Sequence, residues 1–165
     1  MDSFASLGFS MAQNCTILCP SDAPQQVVAC LRDLLQGAPQ ILVTGKDSDW
    51  SKIEIKTQGA SLTLNRQVRR KPGDAFSKMV LGMHTYFDGV KTSAKSIKKD
   101  ILDRVLNMAL AIGVVAEPVF VDEDRHYDCI FGIAAAMKAV IWTGSGVINA
   151  EGKMLLDGDG NSEVT

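Results

Sequence analysis

The residues whose types could carry chemistry are few: two histidines, His84 and His126, and four cysteines, Cys15, Cys19, Cys30 and Cys129. His126 precedes Cys129 by three residues, so on a helix the two share one face. Asp122, Glu123, Asp124 and Asp128 stand close by in the chain. A thiol, a base within hydrogen-bond reach and an acid that orients the base are the parts of nucleophilic catalysis. No oxyanion-stabilising feature accompanies them, and a helix start with a buried cysteine one turn in accounts for the same residues. His84 falls at the edge of a stripe formed by Met79, Met83 and Phe87. It reads either as a core-edge histidine held by one hydrogen bond or as a general base. The candidate catalytic residues are therefore His126, Cys129 and His84.

Lys98 and Lys99 are the candidate ligand-binding cations. If Ser96 caps the helix that follows, both lysines sit in its first turn, where a positive charge opposes the helix dipole. A small anionic ligand, phosphate-like or carboxylate, would answer that charge. A helix beginning near Ser93 would leave them solvated. Trp142 ends a strand candidate and, with Trp50, could line a pocket or simply fill the core. Gly144-Ser145-Gly146 lacks the full nucleophile-elbow pattern and reads as a tight turn. Asp157-Gly158-Asp159-Gly160-Asn161 has the first spacings of a calcium loop, but position 6 is Ser162 and no twelfth-position glutamate follows. Cys15 and Cys19 lack the second ligand pair of a structural zinc site. No metal and no cofactor is expected.

The elements that must position these residues can be read from hydrophobic period. Thr16 to Cys19 is a strand ended by Pro20. Asp22 and Gln25 have capping-box spacing with Pro24 in the first turn, ahead of the stripe Val27, Val28, Leu31, Leu34 and Leu35. Gln40 to Thr44 is a strand. Ile53 and Ile55 alternate with Lys52, Glu54 and Lys56, and Leu62 and Leu64 repeat the alternation across Gln58-Gly59, which predicts a hairpin. Two helices follow, over 74–88 and 94–112. The second is expected to carry Ile97, Ile101, Val105, Met108 and Ile112 inward and to stop at Gly113. Val115 to Val121 is a strand with Pro118 at an edge or bulge. The acids 122–124 open a helix over 126–138. Val140 to Trp142 is a strand, and 147–148 with 154–156 form a last hairpin.

The order is β-α-β-β-β, two helices, β-α-β-β-β. It predicts an α+β fold: a single domain with a mixed, mainly antiparallel sheet and helices packed on one side. The domain is expected over 14–156, with related units at 14–66 and 114–156, after an N-terminal arm at 1–13 and before a flexible tail at 157–165.

Composition narrows the function. The chain has 165 residues, 46% hydrophobic, with a formal net charge of −2. That is enough apolar surface to offset chain entropy, so disorder is excluded as the main state. A generally basic nucleic-acid module is disfavoured, and no interleaved aromatic platform is present. The charge is unevenly placed: +6 over 46–104, −6 over 105–165 and −2 over 1–45. No secretory signal and no apolar run of membrane-spanning length is seen. Unpaired cysteines then suggest a reducing, cytoplasmic setting. The scarcity of reactive residues favours a non-catalytic domain that acts through self-association or protein contact, a homodimer by default. The alternative is a small-molecule-binding protein or small enzyme with a pocket between sheet and helices.

Overall fold

The computed structural model describes residues 14–36, 40–57, 60–117 and 125–164. The alternating segments become strands and the 3.6-period segments become helices, in the predicted order. They are β1 (Asn14–Cys19), α1 (Pro24–Leu34), β2 (Gln40–Lys46), β3 (Asp49–Thr57), β4 (Ala60–Val68), α2 (Ala75–Asp88), α3 (Lys95–Leu106), β5 (Leu110–Glu117), α4 (Arg125–Met137), β6 (Val140–Trp142), β7 (Gly146–Ile148) and β8 (Met154–Asp157). All eight strands join one antiparallel sheet, in the order β2-β3-β4-β5-β1-β6-β7-β8.

Register decides which side chains meet. Cys15, Ile17 and Cys19 lie level with Val114, Ile112 and Leu110 of β5. Leu62 and Leu64 of β4 lie level with Ala116 and Val114, and with Ile55 and Ile53 of β3. These residues share one face and form the principal core with Val27, Val28 and Leu31 of α1 and Ile130, Ile133 and Ala134 of α4. Each fully buried aliphatic side chain there contributes roughly 1.5–3 kcal/mol. The two helices lie side by side on this face. At their contact the Leu34 side chain of α1 rests against Gly132 of α4. The α+β fold and the antiparallel sheet are as the alternation requires.

Residues of the other parity add a second cluster. Leu18, Ala111, Val140, Val147 and Leu156 pack with Phe76, Val80 and Phe87 of α2 and Ile101 and Val105 of α3. This helix pair covers the sheet only over the half that runs from β5 to β8. No helix of the described residues packs on the outward residues of β2, β3 and β4.

Arg66 is the one charged side chain on the inner face of β4, level with Ile112. Its guanidinium, 8% exposed, binds Asp22 at 2.7 Å and Asp49 at 2.9 Å. It also donates to the Trp50 carbonyl. Trp50 is fully buried, and its indole N–H donates to the Pro24 carbonyl. Asp22 therefore serves Arg66 rather than a capping box. The N-cap of α1 is Ala23, without a side-chain cap.

Two boundaries differ from the sequence reading. The helix expected to reach residue 112 ends at Leu106, where the Asn107 side chain donates to the Asp103 carbonyl. The run Leu-Ala-Ile-Gly-Val-Val-Ala is strand β5, with Gly113 in its middle. It is buried on both faces over most of its length, so it shows no alternation, and a short continuous apolar run fits a helix end equally well. Secondly, the tail expected to fray from Asp157 is tied back onto β8. The Glu163 amide donates to the Met154 carbonyl, and the Glu163 carboxylate accepts from the Met154 amide. The Gly160 carbonyl accepts from Thr92 at 2.6 Å. In the same segment the Asp157 carboxylate accepts from the backbone amides of Asp159 and Asn161, forming a tight polar turn. The arm at 1–13, the Gln58-Gly59 turn and residues 118–124, with Pro118 and the acidic run, lie outside the described residues.

Candidate binding face and groove

Of the candidate catalytic residues, His84 is not brought together with Cys129. Cys129 is fully buried between α4 and the sheet in the first core. His84 is half-buried on α2, the helix that packs on the opposite face. The sheet separates them. His126 lies in the first turn of α4, with its side chain outside the described part. Burial pushes the Cys15 and Cys19 thiols up to about 12, Asp22 adding to the effect at Cys19. Thiols so held are protonated and poor nucleophiles. Among the described residues no group of three or more His, Cys, Asp or Glu could hold a metal ion.

The lysines have a local explanation. α3 begins at Lys95 after the N-cap Ala94, so Lys98 stands just past its first turn. Its ammonium reaches back and donates to the carbonyls of Asp88 and Val90 at 2.7 and 2.9 Å. A cation there meets the carbonyl end of α2, where the dipole favours it. The charge that suggested an anion is answered by the main chain. Lys99 is exposed to solvent.

Trp142 lies where a pocket is. It is half-buried at the end of β6 and meets Tyr86 and Phe87 of α2 edge-to-face, with ring centroids 5.3 and 5.1 Å away. Beside it a groove of about 340 Å³ runs over the outer sheet face. Register lays out its floor. Asn65 is level with Gly113, Gly113 with Thr16, and Thr16 with Trp142. Four adjacent strands at roughly 4.8 Å spacing put Asn65 and Trp142 about 14 Å apart. Gln67, Asn14 and the buried Thr143 add to the polar lining, and among the described residues no charged one takes part. The Thr143 hydroxyl is held by the Gly146 amide and carbonyl, which fixes the turn after Trp142. Trp50, the other pocket candidate, is core.

The two edges of the sheet are treated differently. At β8 the chain folds back and occupies the Met154 amide and carbonyl. At β2 no described residue outside the β2–β3 ladder hydrogen-bonds to Gln40, Ile41, Leu42 or Val43. These four residues carry no charge, and Leu42 is 38% exposed.

Comparison with family models, with curated proteins and with solved structures finds no match to this chain. Among the described residues no helix is long and apolar enough to cross a membrane.

Sequence reasoning missed Asn65, Gln67, Thr16 and Gly113. Polar residues at alternate strand positions read as a solvated face. The available signal was a glycine inside an apolar strand, which marks a bulge or a close approach.

Proposed function

We propose that this chain is a non-catalytic domain that acts through self-association, forming a homodimer by pairing β2 with β2 of a second copy in a reducing, cytoplasmic setting. The observation that carries the reading is the β2 edge, uncharged over Gln40–Val43 and left open by the described residues, while the opposite edge is folded over. An open apolar edge strand is a template for another strand. The segment suits its own copy. With the two-fold axis at Leu42, Leu42 faces Leu42, Ile41 faces Val43, and Gln40 faces Thr44. Ile41 and Val43 pack against the first core, so the pairing continues that core across the axis. An isologous pair of this kind closes after two subunits. The folded-back β8 edge disfavours head-to-tail growth. The separation of His84 from Cys129 and the burial of the thiols support the non-catalytic part of the reading.

The test is sedimentation velocity over a concentration series, on the native protein and on Leu42→Lys. Leu42 points away from the core, so the substitution leaves packing intact and sets two lysines opposite each other across the axis. A concentration-dependent dimer that becomes a monomer in Leu42→Lys is the expected result. A native protein that stays monomeric throughout the series, or a dimer unaffected by Leu42→Lys, would refute the reading.

A further inference from the structure

The outer-face groove is distinct from the β2 edge, and its chemistry is different. We infer that it is a binding site for a neutral saccharide of one or two rings, held by Asn65, Gln67 and Thr16 and walled by Trp142.

Gly113 sits in the centre of the sheet, between Asn65 on β4 and Thr16 on β1. Among the described residues a Cβ there would touch nothing closer than the Asn65 carbonyl oxygen at 3.9 Å, so they leave the space above it open. Any larger side chain would fill the floor of the groove. The neighbouring outward positions carry amides and a hydroxyl, and Asn65 and Thr16 are half-buried. No other described residue hydrogen-bonds to the side chains of Asn65, Gln67 or Thr16, or to the Trp142 indole N–H.

The lining selects the ligand class. Among the described residues it contains no cation, so phosphates and carboxylates lose the charge-assisted bonds that would offset their desolvation. Among the same residues it contains no anion, so an amine ligand gains nothing. Primary amides offer donor and acceptor side by side, and a hydroxyl is both. Sugar hydroxyls are likewise both, and several of them can be matched by groups spread along one row of the sheet. A single aromatic wall suits the apolar face of a sugar ring. A nucleotide would call for a cation at its phosphate. The volume lies at the small end of ligand sites.

The experiment is NMR on the intact chain with a panel of uncharged mono- and disaccharides, and with inorganic phosphate and free nucleosides as counter-probes. The readout is simple because the chain has two tryptophans, and the Trp50 indole N–H is buried on the Pro24 carbonyl. At least one saccharide is expected to show saturation transfer and to move the Trp142 indole resonance and the Asn65 and Gln67 side-chain amides. Gly113→Val should weaken that binding by roughly tenfold or more, with the rest of the spectrum unchanged. If Gly113→Val does not fold, Asn65→Ala is the second variant, with a smaller loss expected. The inference fails if no saccharide moves the Trp142 indole, if phosphate or nucleosides bind there instead, or if saccharide binding survives both Gly113→Val and Asn65→Ala.

Discussion

Replacing Arg66 by methionine is expected to destabilise the domain by about 2 kcal/mol, most of it traceable to Asp22. The methionine keeps the apolar stem in place, so the loss is electrostatic. Asp22 receives two bonds, from Nη2 at 2.7 Å and Nε at 3.3 Å, and its side chain is 34% exposed. Asp49 receives one, at 2.9 Å, and is 74% exposed. A hydrogen bond to a charged group is worth about 1.5–3 kcal/mol when sheltered, and an exposed pair about 0–1 kcal/mol. The Asp22 arm belongs near 1.5 kcal/mol and the Asp49 arm near 0.5 kcal/mol by that scale. The assay is urea unfolding of Arg66→Met, Asp22→Asn, Asp49→Asn and the two doubles, read as double-mutant cycles. Added salt should weaken the Asp49 coupling more than the Asp22 coupling. A coupling to Asp49 as large as that to Asp22 would refute the reasoning. So would an Arg66→Met protein as stable as the native one, since the guanidinium would then cost in desolvation what its partners return.

Gly160 has φ +87°, and a Cβ there would run into the Lys91 carbonyl. Gly160→Ala should therefore cost more than about 2 kcal/mol in thermal or urea unfolding, and a neutral result would mean the C-terminal segment is not anchored at the loop before α3. The Cys15 and Cys19 thiols, raised to about 12 in the folded state, should make the protein lose stability as pH climbs from about 9 towards 12. In that window the unfolded thiols have given up their protons and the folded ones have not, so the folded state binds more protons and loses ground as pH rises. Alkaline unfolding curves of the native protein and of a Cys15→Ala, Cys19→Ala double variant would converge towards pH 8 and differ in slope above 9.

The element order was legible because each strand and helix carries its own period. Ile53 and Ile55 against Lys52, Glu54 and Lys56 state a half-buried strand without help from the rest of the chain. Strand order carries no such local mark. Nothing in Cys15 to Cys19 announces that β1 will lie between β5 and β6. The run from Leu110 was ambiguous for the opposite reason: burial on both faces erases alternation. At the candidate sites, Trp142 was readable as a pocket residue because a large aromatic at a strand end is conspicuous. Lys98 was misleading because its partners are main-chain carbonyls at and just past the end of another helix, which no spacing rule can pair with it. Asn65, Thr16 and Gly113 form one row only through the register of three strand pairs, a property of the assembled sheet.

The placement of β1 has a consequence for how the chain must fold. β1 lies between β5 and β6, and β5 lies between β4 and β1. The first half alone would hold β2-β3-β4 as one ribbon and β1 as a stray strand. The second would hold β6-β7-β8 and a stray β5. Neither half has a continuous sheet until the other supplies its missing strand, so the central pair can form only by closing long loops. Such a topology pays loop entropy before it gains contacts, which makes folding slow and all-or-none for its size. Two fragments cut in the loop between α2 and α3 would each be incomplete in a way that only the other repairs.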